Sequence, residues 1–325
     1  MKKSMYTESI SALPRLLTRN ILVFLKCGGP ICTFWGIMPG EKPFLSLDDQ
    51  LKLLQDRGLL VTTPESAKSF LKTNNYYRFS GYAREFQEDP RNGDNKFVDG
   101  VSFEKIQELM ECDRQLRRLL LQALEYIEIS VRSAFAYQAG KVYGNQAFYL
   151  NPSEYVSQTQ DLEKFISKLE HQLSRKNQPT VERYAPNGDY SALPIWVAVE
   201  TMSFGSLVRI CQYIAKPQVV LDTADSLSIT RQSFSDTLHA FLSLRNRCAH
   251  YGQLWNRSFD IAFKVQGKEK RCAPPFSHPG SYGGILVIRR WLKALNICES
   301  WFEEVENLLN SNVLYQQGIL TPRMK

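Results

Sequence analysis

"SFEKIQELMECDRQLRRLLLQALEYIEISVRSAFAYQAG", residues 102–140, decides the fold class. Its apolar residues fall at Phe103, Ile106, Met110, Leu116, Leu120, Leu124, Ile127, Val131 and Phe135, in steps of three, four or six. That is close to the 3.6-residue period that gives a helix one apolar stripe, with a single gap at Cys112–Asp113. No alternating strand pattern persists elsewhere beyond a few residues. The chain therefore reads as all-α, a multi-helix bundle with an N-terminal helical subdomain and no internal repeat.

Helical signals continue on both sides of this segment. "SLDDQLKLLQDRG" (46–58) offers Ser46 as a cap, acids in the first turn and Gly58 as a stop. "TPESAKSFLKTNN" (63–75) has Thr63 as cap and Pro64 at the first helical position. "YYRFSGYAREFQ" (76–87) is an aromatic short helix, and the Asp-, Asn- and Gly-rich residues 88–100 read as a loop. Downstream, 155–173 is amphipathic and 174–193 a polar connection. Residues 194–214 form a buried helix with a break at Ser203–Gly205. Helices follow at 230–250 and 285–310, with a loop over 266–284. The expected organisation is an extension at 1–40, an N-terminal helical region at 41–100, a main helical domain at 101–310 and a tail at 311–325.

A hydrophobic fraction of 43% and a charged fraction of 22% are those of a globular protein able to bury a core. The net charge of +7 favours polyanionic partners without proving them. Seven scattered cysteines contain no C-x-x-C pair, which argues against a zinc site or disulfide framework and for a reduced, cytoplasmic setting. "ILVFLKCGGPICTFWGIM" (21–38) is interrupted by Lys26 and Gly-Gly-Pro, so it lacks the roughly 18 unbroken apolar residues of a membrane span. Met38 is a plausible alternative start, which would make the extension a start-site artefact. No membrane, metal or cofactor is expected.

Chemistry concentrates in "LSLRNRCAHYGQLWNRSF" (242–259), in a chain with only four histidines. Gly252 is expected to end the helix, placing His250 in its last turn, where free carbonyls and the dipole favour an imidazolium. Arg245 and His250 stand about 140° apart on an ideal helix, so spacing alone does not put them on one face. Asn246 and Arg247 do share the face of His250. An Arg–His spacing of this kind is common: Arg271 and His278, in "RCAPPFSH", make a second match with no helix to hold it. A histidine satisfied at a helix end and a functional pair both remain open on spacing. The functional reading has a definite chemistry. Histidine can take the proton of a ribose 2′-OH, which then attacks its own phosphate, while the planar fork of arginine holds the charged oxygens. Asn246 would orient the imidazole or bond the ribose. No carboxylate or Cys/His cluster surrounds residue 250 in sequence, so cleavage is expected to need no metal.

Five stretches in order carry a resemblance: "KPFLSLDDQLKLLQDRGL", "NNYYRFSGYAREF", "CDRQLRRLLLQALEYIEISVRSAFAY", "PIWVAVETMSFGSL" and "LRNRCAHYGQLWNR". From about Lys42 to Phe259 the chain resembles the Abi family of abortive-infection proteins, the AbiD/AbiF-like group within the HEPN superfamily. The resemblance implies a HEPN-type helical bundle, often dimeric, that cuts RNA without metal in phage defence. It also implies that Arg245 and His250 are the catalytic pair. Some HEPN domains only bind RNA or partners, so a non-catalytic RNA-binding or regulatory module is the alternative. An interaction protein is a third.

Other residues have two readings each. Glu128 and Arg132 have the spacing of a structural ion pair; the functional reading has Glu128 reaching and orienting Arg245. Tyr76, Tyr77, Arg78, Phe79 and Tyr82 are core aromatics or a base-stacking set around Arg78. Arg114, Arg117 and Arg118 are a solvated face or a track for phosphates. Trp255, Asn256 and Arg257 anchor a loop or position RNA, with Arg247 beside them. The expected partners are single-stranded RNA as substrate, a regulatory RNA, and a second copy in a homodimer. In that dimer two helix ends face each other and supply two histidines, one as base and one as acid.

Overall fold

Ser102 accepts a hydrogen bond from the Lys105 amide and so starts the long helix where the apolar stripe begins. The computed structural model describes residues 44–156, 159–174, 179–277 and 279–323, so the extension at 1–40 and His278 lie outside the described residues. From Leu47 onward the chain forms one compact unit. Its first three helices are α1 (Leu47–Asp56), α2 (Pro64–Asn74) and α3 (Tyr76–Ala83), followed by the long α4 (Phe103–Tyr143). Next come α5 (Gln160–Ser174), α6 (Pro179–Tyr184), α7 (Ile195–Thr201), α8 (Phe204–Tyr213) and α9 (Gln218–Ser226). The last are α10 (Phe234–Ala249), α11 (Gly267–Cys272), α12 (Ser281–Leu295), α13 (Trp301–Ser311) and α14 (Val313–Leu320).

The fold is all-α, as the sequence predicts. The 41 residues of α4 make a rod of about 60 Å at 1.5 Å per residue. Helices α3, α7, α9, α10, α12, α13 and α14 pack against it. All nine residues of the predicted stripe are buried. The gap in that stripe is not a break in the period. Asp113 fills the missing position, fully buried and within α4.

Several boundaries differ from the sequence reading. Residues 88–100 are not all loop: β1 (Gln87–Asp89) pairs antiparallel with β2 (Asp94–Phe97) around Gly93, whose φ of 94° suits only a tight turn. Residues 174–193 contain α6, and 266–284 contain α11 and the start of α12. The segment 285–310 splits at Asn296, in the left-handed region with φ 55°. The expected tail is packed structure: Tyr315 of α14 is fully buried.

Buried Asp113 organises this region. Its carboxylate accepts from the Tyr82 hydroxyl at 2.5 Å, the Tyr315 hydroxyl at 2.9 Å and Arg117 Nη1 at 2.6 Å. It also accepts from the amides of Leu254 (3.1 Å) and Trp255 (2.9 Å). Such a charge survives burial only because every lone-pair direction meets a donor. Burial, then the charge of Asp113, pushes both phenols well above the ordinary tyrosine value. One carboxylate thus joins α3, α4, α14 and the loop after α10.

Candidate functional site

Helix α10 runs antiparallel to α4 and ends at His250. The end is a Schellman motif. Gly252 N–H donates to the Arg247 carbonyl at 2.7 Å and Tyr251 N–H to that of Cys248 at 3.1 Å. The left-handed residue is Tyr251, with φ 59°, and not the glycine that the sequence suggested as the stop. That position costs a non-glycine residue about 1–2 kcal/mol. Gly252 is needed for another reason: a Cβ there would lie 2.7 Å from Arg247 Cγ and 3.1 Å from its carbonyl oxygen.

Beyond this turn the chain is anchored. Trp255 is buried, stacks on Tyr82 and Phe86, and donates its indole N–H to the Leu314 carbonyl at 3.1 Å. Its ring lies where a side chain on Gly318 would stand. Asn256 is buried, with its amide donating to Glu85 at 2.6 Å and its carbonyl accepting from the Arg323 amide. Both ends of Asn256 are thus engaged within the fold. Arg247 donates to the Ser258 carbonyl at 3.1 Å and lies over the Phe259 ring, while Arg257 donates to Gln253 at 3.3 Å.

Arg245 and Asn246 face a cleft of about 940 Å³ between α4, α5, α8 and α10. Its walls carry Arg132, Lys164, Lys168, Arg209 and Arg245 against Glu128, Asp161 and Glu200, leaving a surplus of positive charge. Glu128 is pinned by Arg132, which donates Nε at 3.1 Å and Nη2 at 2.5 Å to Oε1. Arg132 in turn caps the Val199 carbonyl at the end of α7. The other oxygen, Oε2, is 3.9 Å from Arg245 Nε, and Arg245 Nη1 donates to Asn246 Oδ1 at 3.3 Å. The Arg245 side chain is 41% exposed, so the contact orients it more than it stabilises the fold.

The structure thus brings Arg245, Asn246 and Glu128 together. His250 is not among the residues lining that cleft. It is exposed one turn further on, tied to Asn246 through its own amide at 2.9 Å. Arg78 reaches the same turn from α3, donating to the Tyr251 carbonyl at 2.8 Å. Of the aromatics near Arg78, Phe79 and Tyr82 are core and Tyr77 is exposed. Arg117 is buried on Asp113, whereas Arg114 and Arg118 are exposed.

Lys164, Lys168 and Arg209 carry no signal in the sequence that marks them as site residues. On an amphipathic helix their spacing looks like any solvated face. Asp113 had a signal, an acid in the gap of an otherwise apolar stripe. Among the described residues no group of three or more His, Cys, Asp or Glu side chains is placed to hold a metal ion. None of the described helices is long and apolar enough to cross a membrane.

Comparison with known proteins gives one result. No curated protein and no solved structure matches the chain. A family model described as Abi-like protein matches residues 69–256, from within α2 to the anchored Asn256, and so includes α4, α10 and the turn at His250. That span is more than half of the chain, and the protein belongs to the Abi-like protein family.

Proposed function

We propose that this protein is a metal-independent RNA endonuclease of a phage-defence, abortive-infection system, built on a HEPN-type bundle and acting in the cytoplasm. The observation that carries the reading is Arg245, directed by Glu128 into a basic cleft on the helix that ends at exposed His250. In the reaction, His250 takes the proton of a ribose 2′-OH. The 2′-oxygen forms a bond to the adjacent phosphorus and the P–O5′ bond breaks. Arg245 holds the non-bridging oxygens as their charge grows. An acid returns a proton to the leaving 5′-oxygen, and the products are a 2′,3′-cyclic phosphate and a 5′-hydroxyl. A homodimer with two facing α10 ends supplies that acid as a second His250. Asn246 orients the guanidinium and the ribose. Arg247, Asn256 and Arg257 act through the loop they hold, and Arg78 through the turn.

Purified protein is incubated with single-stranded RNA in chelator beside Arg245→Ala and His250→Ala. Cyclic-phosphate ends from the wild type alone are the expected result. A requirement for magnesium, or full activity of either variant, overturns the reading. RNA binding without cutting is the second reading, favoured by one observation: His250 does not line the cleft that Arg245 lines. Tight binding with intact RNA in the same assay selects it.

A further inference from the structure

A second cleft, of about 460 Å³, opens beside the α10 end, and Arg78, Arg114, Arg118 and Tyr251 line it with Asn74 and Glu111. The final turns of α10 serve both clefts: Asn246 lines the large one, Cys248 the small one. On α4 the small cleft ends at Leu121 and the large one begins at Glu128, a separation of about 10 Å along the helix. His250 lies between Asn246 and Tyr251 in sequence and is exposed, lining neither cleft itself.

Three features of the small cleft point to a ligand. Its charge is unbalanced: Arg114 is paired with Glu111, but Arg118 is exposed and makes no ion pair with a described residue. Arg78 uses one nitrogen on the Tyr251 carbonyl, at 2.8 Å, and keeps its charge. The aromatic is presented: Tyr251 is 69% exposed, with its ring centroid 6.0 Å from the Arg78 guanidinium. The backbone is strained to present it. Tyr251 occupies the left-handed position of the Schellman motif, where glycine is the residue of least cost. Folding favours glycine there, and the chain instead carries an exposed ring next to His250. Outliers of this kind persist only where the surroundings over-determine them, and they cluster at functional sites. Of those here, Tyr251 is the one that carries an exposed aromatic ring.

We propose that the small cleft is a nucleotide subsite of the RNA groove. Tyr251 stacks on an unpaired base next to the phosphate at His250, and Arg118 and Arg114 hold the following phosphate. Stacking is tolerant of base identity because every base has a π-face, so the subsite selects single strands over duplex and does not read sequence. This deepens the RNA reading above and rests on it for the identity of the ligand.

The test uses the full chain and a 2′-O-methyl oligoribonucleotide of ten residues, which has no free 2′-OH and cannot be cut by 2′-attack. Fluorescence anisotropy gives its affinity for wild type, Tyr251→Gly, Tyr251→Phe and the double variant Arg114→Gln/Arg118→Gln. Tyr251→Gly is expected to melt higher than wild type and yet bind about tenfold more weakly. Tyr251→Phe is expected to bind as wild type, and the arginine double variant to lose affinity and flatten the salt dependence. Wild-type affinity in Tyr251→Gly, in protein shown folded by circular dichroism, overturns the subsite. So does an oligonucleotide that binds no form of the protein. The two proposals fail separately. Weakened binding in a protein that never cuts RNA keeps the subsite and removes the nuclease. Unchanged binding in Tyr251→Gly, with cleavage lost in His250→Ala, does the reverse.

Discussion

Glu128 Oε2 on α4 stands 3.9 Å from Arg245 Nε on α10, while Oε1 of the same carboxylate is held by Arg132. One carboxylate thus fixes a partly exposed guanidinium to the longest helix of the fold. Glu128→Ala is expected to lower the rate of RNA cleavage tenfold to a hundredfold, on the order expected for a misplaced group. Glu128→Gln keeps an oxygen for Arg132 and is expected to retain more. Arg132, 11% exposed, loses its ion pair as well, so the melting temperature of Glu128→Ala is expected to fall too. Rates are compared below that transition in protein shown folded by circular dichroism, and a wild-type rate there would make Glu128 a structural residue only.

Asp113 receives five donors and sits opposite Arg117, which is 5% exposed. Asp113→Ala strands a buried guanidinium and two amides, at a cost of about 3–5 kcal/mol. Urea unfolding measures it. A change under about 1 kcal/mol would show that the network relaxes onto water.

Two of the close-packed glycines, Gly252 and Gly318, should differ. Gly318→Ala pushes on the flat ring of Trp255, which stacking and an indole hydrogen bond hold in place. Gly252→Ala meets Arg247 chiefly through a side-chain carbon. Both overpack, at about 1–3 kcal/mol or more, and the Gly318 variant should lose the most in thermal melts.

Alkaline pH should destabilise the protein in a defined window. Burial pushes the Cys248 thiol from its ordinary 9.0 up to about 12. The neutral thiol is the folded form, so its contribution is complete below about pH 9 and is lost as pH rises toward 12. Tyr82 and Tyr315, raised by burial and then by Asp113, add the same sign above their ordinary 10.0. Each group steepens the fall by up to about 1.4 kcal/mol per pH unit. Cys248→Ala should flatten the decline of the melting temperature between pH 9 and 10, and an unchanged slope would exclude the thiol as its source.

If two α10 ends share one site, with one His250 as base and the other as acid, an excess of His250→Ala protein should lower the activity of wild type when the two are mixed. Each mixed dimer then carries only one intact His250 in its groove. Light scattering of the mixture reports the mass. Unchanged activity per wild-type subunit in a confirmed mixed dimer would place each site within one subunit.

The helices were legible because their apolar stripes run at a single period, and α4 is the clearest case. The hairpin at 87–97 was not: two short polar strands bury only Phe97 and give no alternation to read. The split between α12 and α13 was hidden because Asn296 enters the left-handed region without a glycine to announce it. At the site, the sequence offers Glu128 either as a partner of Arg132 or as a residue reaching Arg245, and the carboxylate meets both. The walls of the cleft were not legible, because Lys164 and Lys168 become neighbours of Arg245 only through tertiary packing. Tyr251 was hidden by its own strain, since the neighbouring Gly252 is the residue expected at the end of the helix.

Asp113 and Trp255 have their last partners, Tyr315 and Leu314, on α14. Translation makes that helix after the turn it braces. While the ribosome is still adding residues 313–320, the segment after His250 lacks the hydroxyl, the carbonyl and the flat surface at Gly318 that hold it. Bracing of that loop is therefore timed by synthesis, and a chain halted before Val313 lacks the last partners of Asp113 and Trp255.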